Sequence, residues 1–481
     1  MTFYINCFRR LLFVLLLFFS TIEMLSARTI TGRVSCADKG VKNVVVTDGI
    51  HFSQTNDKGI YKLLLADNAS YVYISSPSGY LPKRHNSIPL FYQQIESRRA
   101  DKYNFELDRN TRDDSKQLIL VHADAQLFKE SNLEPYNKLL DDCIGLINSN
   151  PDSEIFGIDC GDIVGDKPEL YPSYITSIDR LNIPFYRVMG NHDMNLYGRS
   201  HETSYKTFEG LFGPSYYSFN RGKVHYVVLN DVFYLARDYF YAGYLNEKQL
   251  AWLEKDLSFV DKNNLVFVAL HIPTRLEVAQ LPFEYSNENI AGRVSNAASL
   301  YKMLEHFRAH ILAGHTHYNR NLEYSSRLYE HITAAVCGTW WQGAVCLDGT
   351  PKGYGVYEID GDSVRWYFKS AGFPKNYQMR VYNVGSSPEY PDDVIVNVWN
   401  WDDKWKVEWL EDGILRGNML RISICDPAAK ALCDDKEKLE FKWISPFKND
   451  HMFRAPIKNK NARIEICVTD RFGNQYRTDL K

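Results

Sequence analysis

The feature that most constrains this chain is a series of apolar runs that each end in a short polar turn. Between residues 116 and 372, strand-like runs (Gln117–Ala123, Glu154–Cys160, Phe185–Met189, Val224–Leu229, Leu265–Leu270, His310–Ala313) alternate with helix-like ones (Glu134–Ile147, Glu169–Leu181, Ser204–Leu211, Glu247–Phe259, Ser295–Phe307). Strands that alternate with helices build βαβ units. Asn246 and Ser295 stand where helix N-caps are expected. In open α/β sheets, ligands gather just beyond the carboxyl ends of strands. Five polar segments fall there: Asp124-Ala125-Gln126, Gly161-Asp162-Ile163-Val164-Gly165-Asp166, Gly190-Asn191-His192-Asp193, His271, and Gly314-His315-Thr316-His317.

Taken singly, each segment has an ordinary explanation. A loop Asp caps a helix, Asn suits a tight turn, and a lone His at a strand end is usually structural. Together they hold carboxylates, amide oxygens and imidazoles, a donor mixture that suits Mn, Fe or Zn. His315 and His317, two residues apart on an extended segment, point to one side. Hydrolysis of a phosphate ester near neutral pH needs a nucleophile and charge neutralisation, and two cations about 3.5–4 Å apart supply both.

In this order the segments resemble the calcineurin-like metallophosphoesterase superfamily. The resemblance implies an α/β core of the α+β sandwich type, flanked here by two small all-β domains. It also implies hydrolysis of phosphate mono- or diesters by a hydroxide bridging two metal ions, divalent or trivalent. Carried over to this sequence, metal one takes Asp124, Gln126, Asp162 and His317, and metal two takes Asp162, Asn191, His271 and His315. His192 stands in the position of the general acid, Asp193 would orient it, and Asp166 would order the loop. Gln126 departs from the usual Asp-x-His, which puts a harder, weaker donor on metal one. Gly165 stands where purple acid phosphatases place a Tyr ligand, so that branch is disfavoured.

The flanks read differently. Residues 28–110 show short alternating strands with a turn about every ten residues, a small sandwich. Their Asn43-Val44-Val45-Val46-Thr47-Asp48-Gly49 and Gly59-Ile60-Tyr61 segments resemble the transthyretin-like or carboxypeptidase-regulatory module. The catalytic region is expected over 116–372 and a second β domain over 380–481. Trp340 and Trp341 come soon after His317 and are candidates to stack on a sugar or base; core packing is the competing reading. The arrangement looks like exported bacterial phosphoesterases of this kind. Two other functions stay open: a pyrophosphohydrolase acting on nucleotide-sugar or lipid-linked diphosphates, and a glycan- or surface-binding protein built on a relict core.

Composition narrows the setting. A chain of 481 residues exceeds one ordinary domain, and a net charge of -3 carries no nucleic-acid signature. Phosphate esters, including sugar- or nucleotide-linked ones, are the expected partners. At the N-terminus Arg9-Arg10 precedes an apolar stretch, Leu11 to Phe19, and Ala27 suits cleavage, so residues 1–27 read as an export signal. That stretch is too short to span a bilayer comfortably, and the expected destination is the periplasm, cell surface or medium. Eight Cys lie beyond Ala27. Cys337–Cys346 and Cys425–Cys433 are close enough in sequence for local bridges, with buried free thiols as the alternative.

Overall fold

The computed structural model describes residues 28–95, 101–236, 240–274, 287–459 and 461–480. The expected export signal, 1–27, lies outside the described residues. No helix among the described residues is long and apolar enough to cross a membrane.

The core is a pair of facing sheets. One runs Phe185–Arg187, Glu154–Asp159, Lys116–His122, Gly353–Asp360, Ser363–Ser370; its first three strands are parallel and the last two join antiparallel. The other runs Tyr217–Arg221, Val224–Val228, Leu265–Ala269, Arg308–Ala313, Leu328–Ile332, Arg320–Ser325, parallel except at its two edges. Parallel strands buried on both faces need continuous apolar runs. Leu265–Ala269 (Leu-Val-Phe-Val-Ala) is accordingly buried at every position. Aromatic rings fill the space between the sheets. Phe156 meets Phe219 and Tyr226 edge-on, with centroids 5.7 and 5.2 Å away, and Tyr186 stacks on Phe219 at 3.7 Å.

Helices cover the outer faces. Leu133–Asn148 and Tyr171–Ile178 pack beside the first sheet, with Tyr136 stacked on Tyr174. Asn246 caps Glu247–Leu257 as expected, its side chain accepting from the Gln249 N–H. Ser295 does not cap its helix: Ala297–Leu304 starts after Asn296, and the Ser295 hydroxyl instead donates to the Gly243 carbonyl.

The N-terminal module has one five-stranded and one four-stranded sheet. It attaches to the edge of the core's second sheet. Ser76 bridges to Phe219 in parallel register, the Ser218 hydroxyl bonds Ser75, and Phe91 packs 4.5 Å from Tyr217. The C-terminal module consists of two four-stranded sheets, one centred on Asp393–Asn397 and Lys448–Pro456, the other on Lys406–Glu411 and Ile464–Thr469. Trp399 and Trp405 are buried, so these two serve packing. Buried Asp348 ties this module to the core. Its carboxylate accepts from the Asn319 N–H (2.9 Å) and meets His451 (3.2 Å), and its carbonyl accepts from Asn397 and Asn449. The eight described cysteines are free; Cys337, Cys346 and Cys433 are buried thiols, and Cys425 is half-buried.

Candidate metal centre

All five polar segments meet at the carboxyl ends of the parallel strands of both sheets. The first sheet delivers Asp124, Asp162 and Asn191-His192; the second delivers His271, His315 and His317. Three of these strands, Lys116–His122, Glu154–Asp159 and Arg308–Ala313, end in a backbone reversal that an L-residue adopts reluctantly. Asp124, Gln126, Asp162, Asp166, His315 and His317 have φ between +36° and +71°. Such conformations cost about 1–3 kcal/mol each and persist where surrounding bonds enforce them. Here the ladder continues through the turn: Asp124 N–H donates to Gly161 O, Gln126 N–H to Asp162 O and Leu127 N–H to Ile163 O. Gly190 is required by close approach, because a Cβ there would overlap the backbone nitrogen and Oδ1 of Asp162.

Asp162, His271 and His315 bring ligand atoms within 4.8 Å of one another. His271 Nε2 lies 3.3 Å from Asp162 Oδ1, 3.0 Å from Asn191 Oδ1 and 3.2 Å from His315 Nδ1. His317 Nε2 lies 3.6 Å from Asp124 Oδ1. Two imidazoles are oriented from behind by carbonyls: His271 Nδ1 meets Cys160 O at 2.7 Å and His317 Nδ1 meets Gly338 O at 3.3 Å. That leaves each Nε2 lone pair facing the cluster, the arrangement typical of metal-bound His. Gln126 donates from Nε2 to Asp162 Oδ2 (3.0 Å), while its Oε1 faces the buried Cys337 thiol at 3.9 Å.

Charges within the cluster act on one another at close range. Burial opposes a charged His271, yet Asp162, Asp124 and Asp231 raise its imidazole to about 10. Burial likewise works against an ionised Asp162, but His271 and His192 hold it well below the carboxylate range. Burial and the neighbouring His271 lower His315 to about 3. Buried carboxylates with convergent imidazoles form a donor set that fits cations, which take the place of protons on such ligands.

His192 is half-buried at the rim. Its Nδ1 lies 2.9 Å from Asp166 Oδ2, and its backbone N–H donates to Asp162 Oδ1 (2.8 Å). The orienting partner is therefore Asp166, not Asp193. The Asp193 carboxylate accepts from Gly190 N–H (2.9 Å), Ile163 N–H (3.2 Å), Val164 N–H (3.3 Å) and the Tyr171 hydroxyl (2.9 Å), and so holds two ligand loops together. The physical reason is local. In the single 3-10 turn Asn191–Asp193, a residue adjacent to His192 points back into its own turn, whereas Asp166 approaches from the facing loop.

The two tryptophans diverge. Trp341 donates its indole N–H to the carbonyls of Ala125 (2.9 Å) and Gln126 (3.3 Å) and so braces the Asp124–Gln126 loop. Trp340 stacks on His317 at 4.2 Å. The sequence reading missed Asp231, whose carboxylate accepts from His271 N–H (3.2 Å) and Ile272 N–H (2.9 Å). It also ends an apolar run, Val224–Leu229, and that was its available signal. Tyr241, edge-on to His315 at 6.2 Å, carried none.

Comparison with known families agrees with this geometry. Residues 28–110 match the N-terminal domain of calcineurin-like phosphoesterases, 118–319 the calcineurin-like phosphoesterase domain, and 330–476 the C-terminal domain of calcineurin-like phosphoesterases. The chain belongs to this family. A dimetal phosphatase from Danio rerio is similar in structure at 14% identity and TM-score 0.39, covering 53% of this chain and 96% of that one. A purple acid phosphatase from yellow lupin is similar at 11% identity and TM-score 0.39, covering 69% and 67%. A search of curated proteins finds no match.

Proposed function

We propose that the protein is an exported dinuclear-metal phosphoesterase that hydrolyses phosphate mono- or diesters. The observation that carries this reading is the convergence of Asp162, His271 and His315, with Asp124, Gln126, Asn191 and His317 around them. Two divalent or trivalent cations (Mn, Fe or Zn) supply a nucleophile from water and neutralise phosphoryl charge. Asp124, Gln126, Asp162 and His317 would hold the first; Asp162, Asn191, His271 and His315 would hold the second. Asp162 would serve both, in keeping with its bonds to the Gln126, His192 and His271 segments.

His192 protonates the leaving oxygen. Asp166 takes up Nδ1, so Nε2 is the atom that faces the ester. Asp193 keeps the two loops in register, and Asp231 does the same for the His271 turn. The buried floor excludes water from behind the ligands, while half-buried His192 and His315 mark the side from which substrate enters.

The test is hydrolysis of p-nitrophenyl phosphate and bis-p-nitrophenyl phosphate after reconstitution with Mn, Zn or Fe, beside Asp162→Ala. Metal-dependent turnover that disappears in the variant supports the reading, and the diester-to-monoester ratio narrows the substrate. A wild type that binds no metal overturns it. Export is checked separately by the N-terminal sequence of the protein recovered from its native cells: a chain beginning at Arg28 supports cleavage after Ala27, and an intact Met1 in the cytoplasm refutes it.

A further inference from the structure

The C-terminal module reaches across the core to the rim of the metal centre. After its helix Pro427–Asp434 the chain runs over the loop that carries the tryptophans. It is pinned there at several points. Gln342 Oε1 accepts the backbone N–H groups of Glu440 and Phe441, Lys129 pairs with Glu440 at 2.6 Å, and Phe441 packs edge-on against Phe128 at 5.5 Å. Buried Leu439 and Ile444 anchor it from beneath, with Trp340 packed against the same cluster.

This braced segment presents Trp443, which is 65% exposed. Trp443 meets Trp340 edge-on, centroids 4.8 Å apart and planes at 74°, and Trp340 lies stacked on the metal-ligand candidate His317 at 4.2 Å. A continuous aromatic path thus leads from the first metal position out to solvent. Both backbone and packing favour a working surface. Trp340 and Trp341 have φ +45° and +64°, conformations bulky residues avoid, and in this turn the Trp340 indole lies on His317 while Trp341 donates to Ala125 O. An exposed indole on a loop fixed by a buried cluster, an ion pair and two backbone hydrogen bonds is preorganised, so little freedom is lost when a ring settles on it.

We infer that Trp443 and Trp340 form a two-walled corner that receives the ring-bearing organic group of the phosphate ester, with the C-terminal module as the supplier of its outer wall. The inference rests on the phosphoesterase reading for its substrate class. The corner recognises a flat ring face, whether aromatic or saccharide, because stacking on an indole is tolerant of the ring's identity. Trp443 touches neither the ligands nor the reacting phosphorus, and its role is to bind and position.

The experiment uses the full-length, metal-loaded protein and its Trp443→Ala and Trp443→Phe variants. Initial rates are measured on phenyl phosphate, glucose 1-phosphate and glycerol 3-phosphate, the last lacking a ring. Trp443→Ala should lower kcat/KM about 10-fold on the ring-bearing esters, mainly through KM, and change glycerol 3-phosphate less than about twofold. Trp443→Phe should restore most of the loss. Loss on phenyl phosphate alone assigns an aromatic ring; loss on both ring-bearing esters assigns a general ring face. Equal effects on all three esters, or none, overturn the corner. Binding of phenylphosphonate, monitored by quenching of tryptophan fluorescence, separates the two readings. Trp443-dependent quenching without turnover of any of these esters or of bis-p-nitrophenyl phosphate would sink the enzyme and leave the corner standing, whereas turnover with quenching unchanged by Trp443→Ala would do the reverse.

Discussion

The two β modules that flank the core are similar in size and strand content, yet they meet it in opposite ways. The N-terminal module extends a sheet edge. Its contacts include a strand-to-strand bridge at Ser76 and Phe219, hydroxyl bonds at Ser218, the packing of Phe91 on Tyr217 and Tyr186, and bonds from Phe185 N–H and Arg187 to Ser87 at the edge of the first sheet. The C-terminal module meets the ligand loops themselves. Asp348 bonds Asn319, two residues beyond His317, and Asn319 in turn donates to Trp399 O. Its outlying segment also supplies Trp443 beside Trp340. One module therefore meets the core at the edges of its sheets, and the other also reaches the loops that carry the candidate ligands.

That contrast can be broken or sharpened by substitution. Asp162→Ala sets the scale, because the shared ligand belongs to neither module: turnover should fall at least about 10⁴-fold, and metal content measured by atomic emission should drop with it. Retained metal and rate would dismantle the site. Phe91→Ala, at the N-terminal seam, should cost about 3–5 kcal/mol in urea unfolding while the folded fraction keeps its kcat. A lowered kcat at full folding would erase the distinction between the modules. Asp348→Ala, at the C-terminal seam, should cost about 2–3 kcal/mol through its orphaned donors and also weaken metal affinity, since it loosens the segment behind His317. Unchanged affinity would make this module as passive as the other.

Smaller effects test the detail. Asp166→Asn should lower kcat about 10–100-fold with the melting temperature nearly unchanged, whereas Asp193→Asn should chiefly destabilise, because its carboxylate ties loops rather than the His192 ring. The reverse pattern would restore the role that sequence reasoning gave Asp193. The smallest effect comes from the buried pair near the C-terminal seam. His331 Nδ1 meets Asn321 Oδ1 and so donates to it, which leaves its Nε2 to accept from His310 Nδ1 at 2.9 Å. Burial, aided by Arg308 and Arg471, lowers His310 to about 3, and burial with His310 lowers His331 well below its usual value. The unfolded chain takes up these protons near pH 6.5 and the folded one does not. Their contribution is therefore present above pH 6.5 and is lost as pH falls toward the folded values, by about 1.4 kcal/mol per pH unit for each His. His310→Phe should flatten the slope of unfolding free energy between pH 6.5 and 5 in chelator-treated protein. An identical slope would show that His310 is already protonated when folded.

Much of the centre could be read before the fold was known, because its parts obey local rules. Asp124, Asp162, Asn191, His271, His315 and His317 each come just after an apolar run, and parallel strands carry the residues at their carboxyl ends to one end of the sheet. The α/β class came from the same alternation. The helix Glu247–Leu257, expected as Glu247–Phe259, and its N-cap Asn246 were equally local. Ser295 was misread because its hydroxyl found a carbonyl on a hairpin distant in sequence, which no helix-capping rule anticipates.

The alternation of strands and helices up to Ala313 and most of the polar residues at the strand ends were determined by the sequence alone as consequences of short-range periodicity, and the order of those polar segments carried the family resemblance; the strands Gly353–Asp360 and Ser363–Ser370, which complete the first sheet, were not foreseen. Only the tertiary structure decided which carboxylate faces His192, that Asp231 holds the His271 turn, that Trp341 braces a loop while Trp340 faces His317, and that Trp443 arrives beside it. Each of these depends on a contact between segments tens to hundreds of residues apart. The backbone dihedrals and packing that close such contacts leave no periodic mark in the chain.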